Sequence, residues 1–194
     1  MTTIQQIQSL LGVTPDGKWG PISQAALTKE TVKDSLTVAS PHDTGTLDAR
    51  TESNIATLIP RAQVAARRFM AAAVAAMADH GLNVRITSGR RTYQEQAELY
   101  DQGRTKPGPK VTNSPPGYSW HNFGVAWDIT LFDFAGNPIW DSPHYRELAE
   151  IGRAQGLDCG AFWATFPDEP HFQLPNLPTL ASARALHDSG REVS

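Results

Sequence analysis

Two histidines and one aspartate stand out because their types and surroundings suit metal chemistry. His121 is followed by Gly124, which permits a tight turn, and by Asp128 on a predicted strand, so the two side chains can converge on one point. His171 follows Pro170, which holds the preceding residue extended. Two imidazoles and one carboxylate are the protein ligands that a catalytic Zn²⁺ uses, with a fourth position left for water. Spacing alone leaves a second interpretation open, in which these histidines only make hydrogen bonds to nearby acids.

The other four histidines and the single cysteine carry weaker signals. Three of these histidines are expected on the solvated surface: His42, His144 and His187. His80 lies in the last turn of a predicted helix, where an imidazolium interacts favourably with the helix dipole. Cys159 cannot form an internal disulfide and is expected to be a buried structural thiol rather than a nucleophile. A single cysteine also excludes cysteine-rich zinc sites, so a metal would need histidine and carboxylate ligands.

Hydrophobic patterns predict the helices and strands that would hold these residues. An apolar face at helical spacing predicts a helix from Arg61 to His80, which Gly81 ends. Thr92 and Glu95 form a capping box that begins a second helix reaching Tyr100. The remaining predicted elements are a helix that begins at Pro143 and stops at Gly156, and strands over residues 83–87, 125–131 and 171–174.

This order of helices and strands predicts the α+β class. We expect a small mixed or antiparallel sheet with helices packed on one side. Residues 103–119 are rich in proline and glycine and should form a long loop of the kind that lines a site. The tail after Pro175 is expected to be peripheral.

The first part of the chain contains a weak repeat with an offset of 28 residues. Gly17-x-Trp19-x-x-x-Ser23-x-x-x-Leu27 recurs as Gly45-x-Leu47-x-x-x-Thr51-x-x-x-Ile55, and each copy combines a glycine turn with a hydroxyl residue able to cap a helix. The pattern predicts a helical module over residues 1–58, followed by a catalytic domain over residues 59–194. The stretch from Gln8 to Leu27 resembles the peptidoglycan-binding domain attached to many cell-wall hydrolases. A helical spacer packed on the following domain is the alternative.

Composition excludes several classes of partner. The chain has 194 residues and a formal net charge of −3, so nothing indicates a nucleic-acid partner or an anionic membrane surface. No apolar run is long enough to span a bilayer. The first residues have neither the basic nor the apolar region of a secretory signal. We therefore expect a protein that is made in the cytoplasm and has no membrane partner. A monomer is also expected.

Three separated motifs occur in one order over about the last two thirds of the chain. The first is Ile86-Thr-Ser-Gly-Arg-Arg-Thr-Tyr-Gln-Glu-Gln-Ala-Glu-Leu-Tyr100, the second is Ser119-x-His121-x-x-Gly124-x-Ala126-x-Asp128, and the third is Asp168-x-x-His171. Together they resemble the LAS family of zinc peptidases. This family includes D-Ala-D-Ala carboxypeptidases, D-Ala-D-Ala dipeptidases and phage L-alanyl-D-glutamate endopeptidases, and the resemblance implies its zinc-peptidase fold.

The resemblance implies a role for each chemically active residue of these motifs. It makes His121, Asp128 and His171 the zinc ligands. Asp168 takes the place of the catalytic carboxylate, and Arg91 takes the place of the transition-state arginine. In those roles Asp168 would take a proton from the attacking water and return it to the leaving amine. Arg91 would help to hold the negative charge on the scissile carbonyl oxygen.

Neighbouring positions qualify this assignment. Ser119 of the second motif and Arg90 are expected to contact substrate. Arg90 stands where the family usually has an aromatic residue, so either Arg90 or Arg91 could enter the site. Cys159 stands where the resemblance leads us to expect a tryptophan, which would loosen that wall of the pocket. The side chain of Glu169 should point to the opposite side from that of Asp168 if the segment is extended.

The implied function is hydrolysis of the peptide part of peptidoglycan. The leading hypothesis is an endolysin-type endopeptidase that cuts between L-alanine and D-glutamate and reaches the cell wall after release. A D-Ala-D-Ala carboxypeptidase of the same family is the nearest alternative. A non-catalytic, zinc-bearing cell-wall binding module is an alternative of another class, because fold alone does not establish activity.

Overall fold

The structure, a computed structural model, describes residues 47–193 together with Thr14. In that part of the chain, five helices occur: α1 (Ala49–Ala56), α2 (Pro60–Ala78), α3 (Tyr93–Asp101), α4 (His144–Ala154) and α5 (Leu180–Asp188). The strands there are β1 (Asn83–Ser88), β2 (Ala126–Phe132), β3 (Pro138–Ile139), β4 (Asp158–Cys159) and β5 (His171–Gln173). Two 3₁₀ turns cover Trp120–Phe123 and Gly160–Phe162. Most of the predicted module, including the first copy of its repeat, lies outside the described residues.

One sheet joins the five strands. Its main path runs β1–β2–β5–β4, and β3 pairs with the far end of β2. Every pairing is antiparallel. An antiparallel sheet with packed helices confirms the predicted α+β class. Strands β3 and β4 have two residues each, which is too short for an alternating pattern to be recognised in the sequence.

The alanine-rich helix α2 packs closely on the sheet. It begins one residue before its predicted start and ends two residues before its predicted end, and Gly81 follows with a φ of +69°. Its small buried side chains allow close approach, so that Phe69 contacts Phe172 of β5 with ring centroids 4.4 Å apart. Among the residues described, no helix combines the length and hydropathy needed to cross a membrane.

Helix α1 belongs to the same packed unit as the sheet. Thr51 Oγ1 accepts a hydrogen bond from Ile86 N at 3.1 Å, and Asn54 Nδ2 donates to Ile86 O at 2.8 Å. Ile55 is fully buried in the common core. Helix α1 therefore packs with the sheet although it falls within the predicted module, and the division between residues 58 and 59 stays a prediction. The existence of that module stays a prediction.

Side chains cap the starts of α1, α3 and α5, and the cap of α3 is the one that the sequence predicts. The capping box of Thr92 and Glu95 is present at the start of α3. Thr51 is not the cap of α1, because Asp48 holds that position and its carboxylate accepts hydrogen bonds from the first turn. Pro143 is the N-cap of α4 rather than its first helical residue.

The C-terminal segment packs against the body of the protein, so the expectation of a peripheral tail is wrong. Helix α5 buries Ala183, and Val193 is buried after it. His187, expected on the solvated surface, stacks on Tyr93 with ring centroids 4.8 Å apart and meets Phe123 edge-on at 5.9 Å. A short helix that buries few and small apolar residues gives only a weak periodic signal.

Candidate metal centre and catalytic site

Three elements bring His121, Asp128 and His171 together, and we call these residues the triad. Asp128 and His171 are direct partners in the pairing of β2 with β5. His121 lies in the 3₁₀ turn before β2. Gly124 ends that turn with a φ of +68°, a backbone conformation that residues other than glycine rarely adopt. A Cβ at Gly124 would also come within 3.2 Å of Ile59 N. The close packing of this turn thus directs His121 toward the strands.

The facing atoms of the triad form an almost equilateral triangle. Asp128 Oδ1 lies 3.2 Å from His121 Nε2 and 3.2 Å from His171 Nδ1. The two ring nitrogens are 3.3 Å apart. A tetrahedral zinc ion with ligand bonds of about 2.0–2.1 Å has its ligand atoms about 3.3–3.4 Å from one another. The observed spacing therefore fits three ligands of one zinc ion.

Outer hydrogen bonds determine where the two imidazoles carry their protons. His121 Nδ1 lies 2.8 Å from the carbonyl oxygen of Gly89, which can only accept, so the neutral ring is protonated there. His171 Nε2 lies 2.9 Å from Gln173 Oε1, and Gln173 Nε2 donates to Asp158 Oδ2 at 2.8 Å. Each ring therefore turns an unprotonated nitrogen toward the centre of the triangle. Three converging lone pairs repel one another unless a cation lies between them, and this is the arrangement of a metal site.

The charges of the triad also favour a cation. Burial alone would raise the pKa of Asp128, but the two histidines outweigh that effect and hold the pKa well below its ordinary value. Burial would likewise lower the pKa of His171, yet the protonated ring can donate from Nδ1 to Asp128, and this hydrogen bond and the charge of the carboxylate raise the pKa overall. In both cases the site stabilises positive charge next to the carboxylate.

A second group, His80, His144 and Glu147, differs from the triad although its ligand atoms also lie near one another. The ring centroids of His80 and His144 are 4.0 Å apart, compared with 5.2 Å in the triad. Among the described residues, the outer nitrogens of these two rings have no hydrogen-bond partner. Both rings can therefore place a proton toward Glu147 Oε2, which lies 3.1 Å from His144 Nδ1 and 3.4 Å from His80 Nε2. We interpret this group as a hydrogen bond between His144 and Glu147, with His80 close to the same carboxylate oxygen, and without a metal.

Of the two neighbouring arginines, Arg91 reaches the triad. Its Nη2 lies 3.5 Å from Asp128 Oδ2, and its buried Nε has no hydrogen-bond partner within the described part of the chain. Burial lowers the pKa of Arg91, but a guanidinium remains charged in proteins. Arg90 is exposed and lines, with Phe123 and His187, a cavity of about 230 Å³ whose described walls include no triad residue. The predicted contact of Arg90 with substrate stays a prediction.

A wider cleft adjoins Arg91, and we refer to it as the α3 cleft. It has a volume of about 550 Å³ between one face of α3 and the beginning of the loop over residues 103–119. Its charged lining residues are Arg91, Glu95, Glu98 and Lys106. The other end of the loop leads to Ser119, which is half-buried and makes no capping hydrogen bond to the 3₁₀ turn. The predicted contact of Ser119 with substrate stays a prediction.

Asp168 and Glu169 are adjacent but have different surroundings. The backbone of Asp168 packs on Gly160, where any Cβ would overlap the carbonyl group of Asp168. Desolvation of the Asp168 carboxyl raises its pKa, and the charge of Asp128 raises the pKa further. The charge of Glu169 instead adds to burial in raising the pKa of Tyr145. Of the two neighbouring carboxylates, Asp168 is therefore the one that is coupled to the triad.

Sequence reasoning missed the residues that orient His171. Gln173 contacts the outer nitrogen of His171, and Asp158 holds the amide of Gln173 while accepting a hydrogen bond from Trp163 Nε1 at 2.9 Å. A signal was available, because alternate residues of a strand share one face, so Gln173 must accompany His171.

Cys159 is a buried structural thiol. Its side chain is 3% exposed and lies against Gly152 of α4, where an added Cβ would come within 2.9 Å of the sulfur. Burial raises the pKa of the thiol to about 12, which disfavours a reactive thiolate at neutral pH.

Comparison with known proteins assigns the chain to a family. Residues 112–174 match the family model described as D-alanyl-D-alanine carboxypeptidase. The chain is 41% identical over 112 residues to the peptidoglycan L-alanyl-D-glutamate endopeptidase CwlK of Bacillus subtilis (strain 168), an alignment that spans 53% of this chain and 67% of CwlK. The chain belongs to the M15 family of peptidases.

Solved structures similar to this peptidase have lower sequence identity. The L-Ala D-Glu endopeptidase ChiX of Serratia marcescens is 24% identical, with 65% of this chain and 86% of ChiX covered and a TM-score of 0.47. The D,D-pentapeptidase VanY of a VanB-type resistance cassette, solved as a mutant in complex with Zn(II), is 19% identical, with 70% of this chain and 80% of VanY covered and a TM-score of 0.42.

The M15 peptidases are zinc-dependent, and the triad supplies three possible ligands for one such ion. The segment that matches the family model contains the whole triad and Asp168, whereas Arg91 lies upstream of it. The spacing of the triad and the acceptors that face the outer nitrogens of its two imidazoles fit that metal.

Proposed function

We propose that this peptidase cuts the stem peptide of peptidoglycan between L-alanine and D-glutamate. Peptide hydrolysis follows from membership of the M15 family. The similarity to CwlK is the observation that carries the choice of bond, because the 41% identity extends over two thirds of a relative with that activity. The geometry of the triad supports zinc-dependent hydrolysis but does not by itself select the bond.

The triad would hold the zinc ion through His121 Nε2, Asp128 Oδ1 and His171 Nδ1. When bound, zinc supplies Lewis acidity, which lowers the pKa of water to about 7 and so provides a nucleophile near neutral pH. The hydrogen bonds that His121 donates to Gly89 O and His171 donates to Gln173 Oε1 keep both imidazoles in the tautomer that offers a lone pair to the metal.

Asp168 is proposed to move the proton. Asp168 is an exposed residue, so substrate has access to its carboxylate, and the charge of that carboxylate is coupled to the charge of Asp128. The raised pKa suits a group that must both accept and release a proton during one turnover. Asp168 would accept a proton from the attacking water on a carboxylate oxygen and deliver it to the leaving amine of D-glutamate.

Arg91 is proposed to hold the negative charge that develops on the scissile carbonyl oxygen. Its side chain is only 19% exposed, so its charge is weakly screened by water. The Nε donor without a hydrogen-bond partner is available to a ligand oxygen. A donor fixed before the reaction contributes more than one that must first reorganise.

Replacing Arg91 with alanine is expected to lower kcat by about 10²–10³-fold with little change in KM. The charge that Arg91 holds exists only in the transition state, so the loss should appear in kcat. Steady-state kinetics on soluble muropeptides measure both constants. Arg90→Ala is the matched control and should leave kcat unchanged, while a rise in its KM would support the predicted contact with substrate. Equal losses of kcat in the two variants would contradict the assignment of Arg91.

A D-Ala-D-Ala carboxypeptidase is the second candidate because the matching family model has that description. Such an enzyme recognises a free terminal carboxylate, usually through a well-placed cation. The α3 cleft contains the cations Arg91 and Lys106, but Glu95 and Glu98 also line it, and their negative charges offset the two positive ones. The cleft also extends along α3 and so leaves room for peptide beyond the scissile bond.

The third hypothesis, a non-catalytic zinc-bearing module, disagrees with the family to which the chain belongs. It also does not explain the presence of Asp168 and Arg91 beside the triad. A structural zinc needs neither a coupled carboxylate such as Asp168 nor a buried guanidinium such as Arg91 beside its ligands.

Digestion of purified peptidoglycan tests the proposed bond. Mass spectrometry should detect peptides with a new amino-terminal D-glutamate, while L-alanine stays on the glycan. Protein carrying Asp168→Asn controls for contaminating hydrolases. Release of terminal D-alanine alone, with the L-Ala–D-Glu bond intact, would replace the proposal by the carboxypeptidase.

A further inference from the structure

Asn122 lies buried between three segments of the site. Its side chain is 1% exposed, its Nδ2 donates to Arg91 O at 3.0 Å, and its Oδ1 accepts from Gly117 N at 3.0 Å. The preceding residue, His121, accepts a hydrogen bond from Arg91 N at its carbonyl oxygen at 3.0 Å. Both backbone groups of Arg91 are thus bound by two consecutive residues of the 3₁₀ turn.

Arg91 lies in a connection that has no sheet partner of its own. It comes after the end of β1 at Ser88 and immediately before Thr92, the cap of α3. In this connection, hydrogen bonds to the 3₁₀ turn hold the backbone in place of hydrogen bonds to a neighbouring strand. The contact of Gly89 O with His121 Nδ1 at 2.8 Å is a further one. The position of Arg91 relative to the triad therefore depends on the turn that carries His121.

We propose that Asn122 is a positioning residue that keeps the guanidinium of Arg91 at the site. The inference rests on the role proposed above for Arg91. The hydrogen bonds of the Asn122 side chain go to backbone groups, so it acts through Arg91 rather than on the substrate. A displacement of about 1 Å in a catalytic group can cost about 100-fold in rate, which makes such a backbone bond important to turnover. The bond to Gly117 also links Arg91 to the end of the loop that borders the site.

A double-mutant cycle with Arg91 tests the proposal. Asn122→Ala is expected to lower kcat about tenfold, with KM changed by less than about threefold and zinc content unchanged. In the Arg91→Ala background the same substitution should cost less than about twofold, because positioning has no effect once the guanidinium is gone. The measurements are kcat and KM on a soluble muropeptide, zinc per chain, and the temperature of unfolding.

Gln96→Ala is the matched control for loss of a buried polar side chain. Gln96 is fully buried and donates from Nε2 to Ser114 O at 2.7 Å, so it ties the same loop to α3 without contacting Arg91. It should lower the unfolding temperature as Asn122→Ala does, but its effect on kcat should be the same in both backgrounds. Should Asn122→Ala fail to fold, Asn122→Ser, which retains a polar group, takes its place in the cycle.

Two results would overturn the proposal. One is an equal loss of kcat from the Asn122 substitution with and without Arg91, and the other is an unchanged kcat beside a lowered unfolding temperature. Full kcat in Arg91→Ala alone has a different meaning, because it refutes the role of Arg91 within the proposed function. Both roles are supported if Arg91→Ala lowers kcat, Asn122→Ala lowers kcat by a smaller factor, and the double variant has about the same kcat as Arg91→Ala.

Discussion

Alanine in place of His171 is expected to remove zinc and to lower peptidase activity by at least about a thousandfold. A catalytic zinc is held by three protein ligands, and only His121 and Asp128 would remain. The variant should also unfold at a lower temperature than the zinc-loaded protein, because a ligand that binds only the folded state stabilises it. Chelation of the natural chain should reproduce the loss of activity, and added zinc should reverse it. Metal analysis, kinetics and thermal unfolding measure the three effects.

His144→Ala provides the matched control for this result. Like His171, His144 contacts a carboxylate and a second histidine, in this case Glu147 and His80. Its substitution should leave about one zinc ion per chain and full activity, because that group can satisfy its hydrogen bonds without a metal. Zinc retained by His171→Ala would contradict the triad as the catalytic centre. A fall in zinc content in His144→Ala would reveal a second metal site.

The sequence predicts best those elements that have a strong period or a clear cap. Helix α2 repeats apolar residues over several turns, and its predicted and observed ends differ by one or two residues. The start of α3 follows from Thr92 and Glu95 alone, because a capping box is a local interaction. Local interactions of this kind need no knowledge of the rest of the fold.

Other elements depend on contacts between distant residues. Thr51 is buried in α1 because its hydroxyl binds the backbone of Ile86 on β1, and a local pattern assigns such a threonine to a cap instead. Helix α5 is held by the rings of Tyr93 and Phe123 against His187, which a surface histidine pattern does not reveal. In both cases tertiary packing outweighs local propensity.

The site divides in the same way between local and distant information. The turn at Gly124 lies within one short motif, whereas Asp128 and His171 are strand partners 43 residues apart, and the sequence brings them together only through the family resemblance. Asn122 also has a distant partner, Arg91, which lies 31 residues away. Which of two adjacent arginines faces the triad likewise depends on how the connection after β1 is bound to the turn, and not on the arginines themselves.

Asparagine in place of Asp168 is expected to lower kcat by about 10²–10⁴-fold while zinc stays bound. Asparagine has nearly the same shape but cannot accept and release a proton at the working pH. Asp168 is exposed, so the substitution should leave the unfolding temperature nearly unchanged, in contrast to the loss of a metal ligand. The decisive measurement is kcat on a soluble muropeptide together with zinc per chain in the same preparation.

Glu169→Gln completes this test, because it removes the same charge from the adjacent position. The charge of Glu169 acts on Tyr145, whereas that of Asp168 is coupled to Asp128 and to Arg91. We therefore expect Glu169→Gln to retain kcat. An active Asp168→Asn beside an inactive Glu169→Gln would reassign the proton transfer to Glu169. Loss of zinc from Asp168→Asn would mean that Asp168 helps to hold the metal rather than moving the proton.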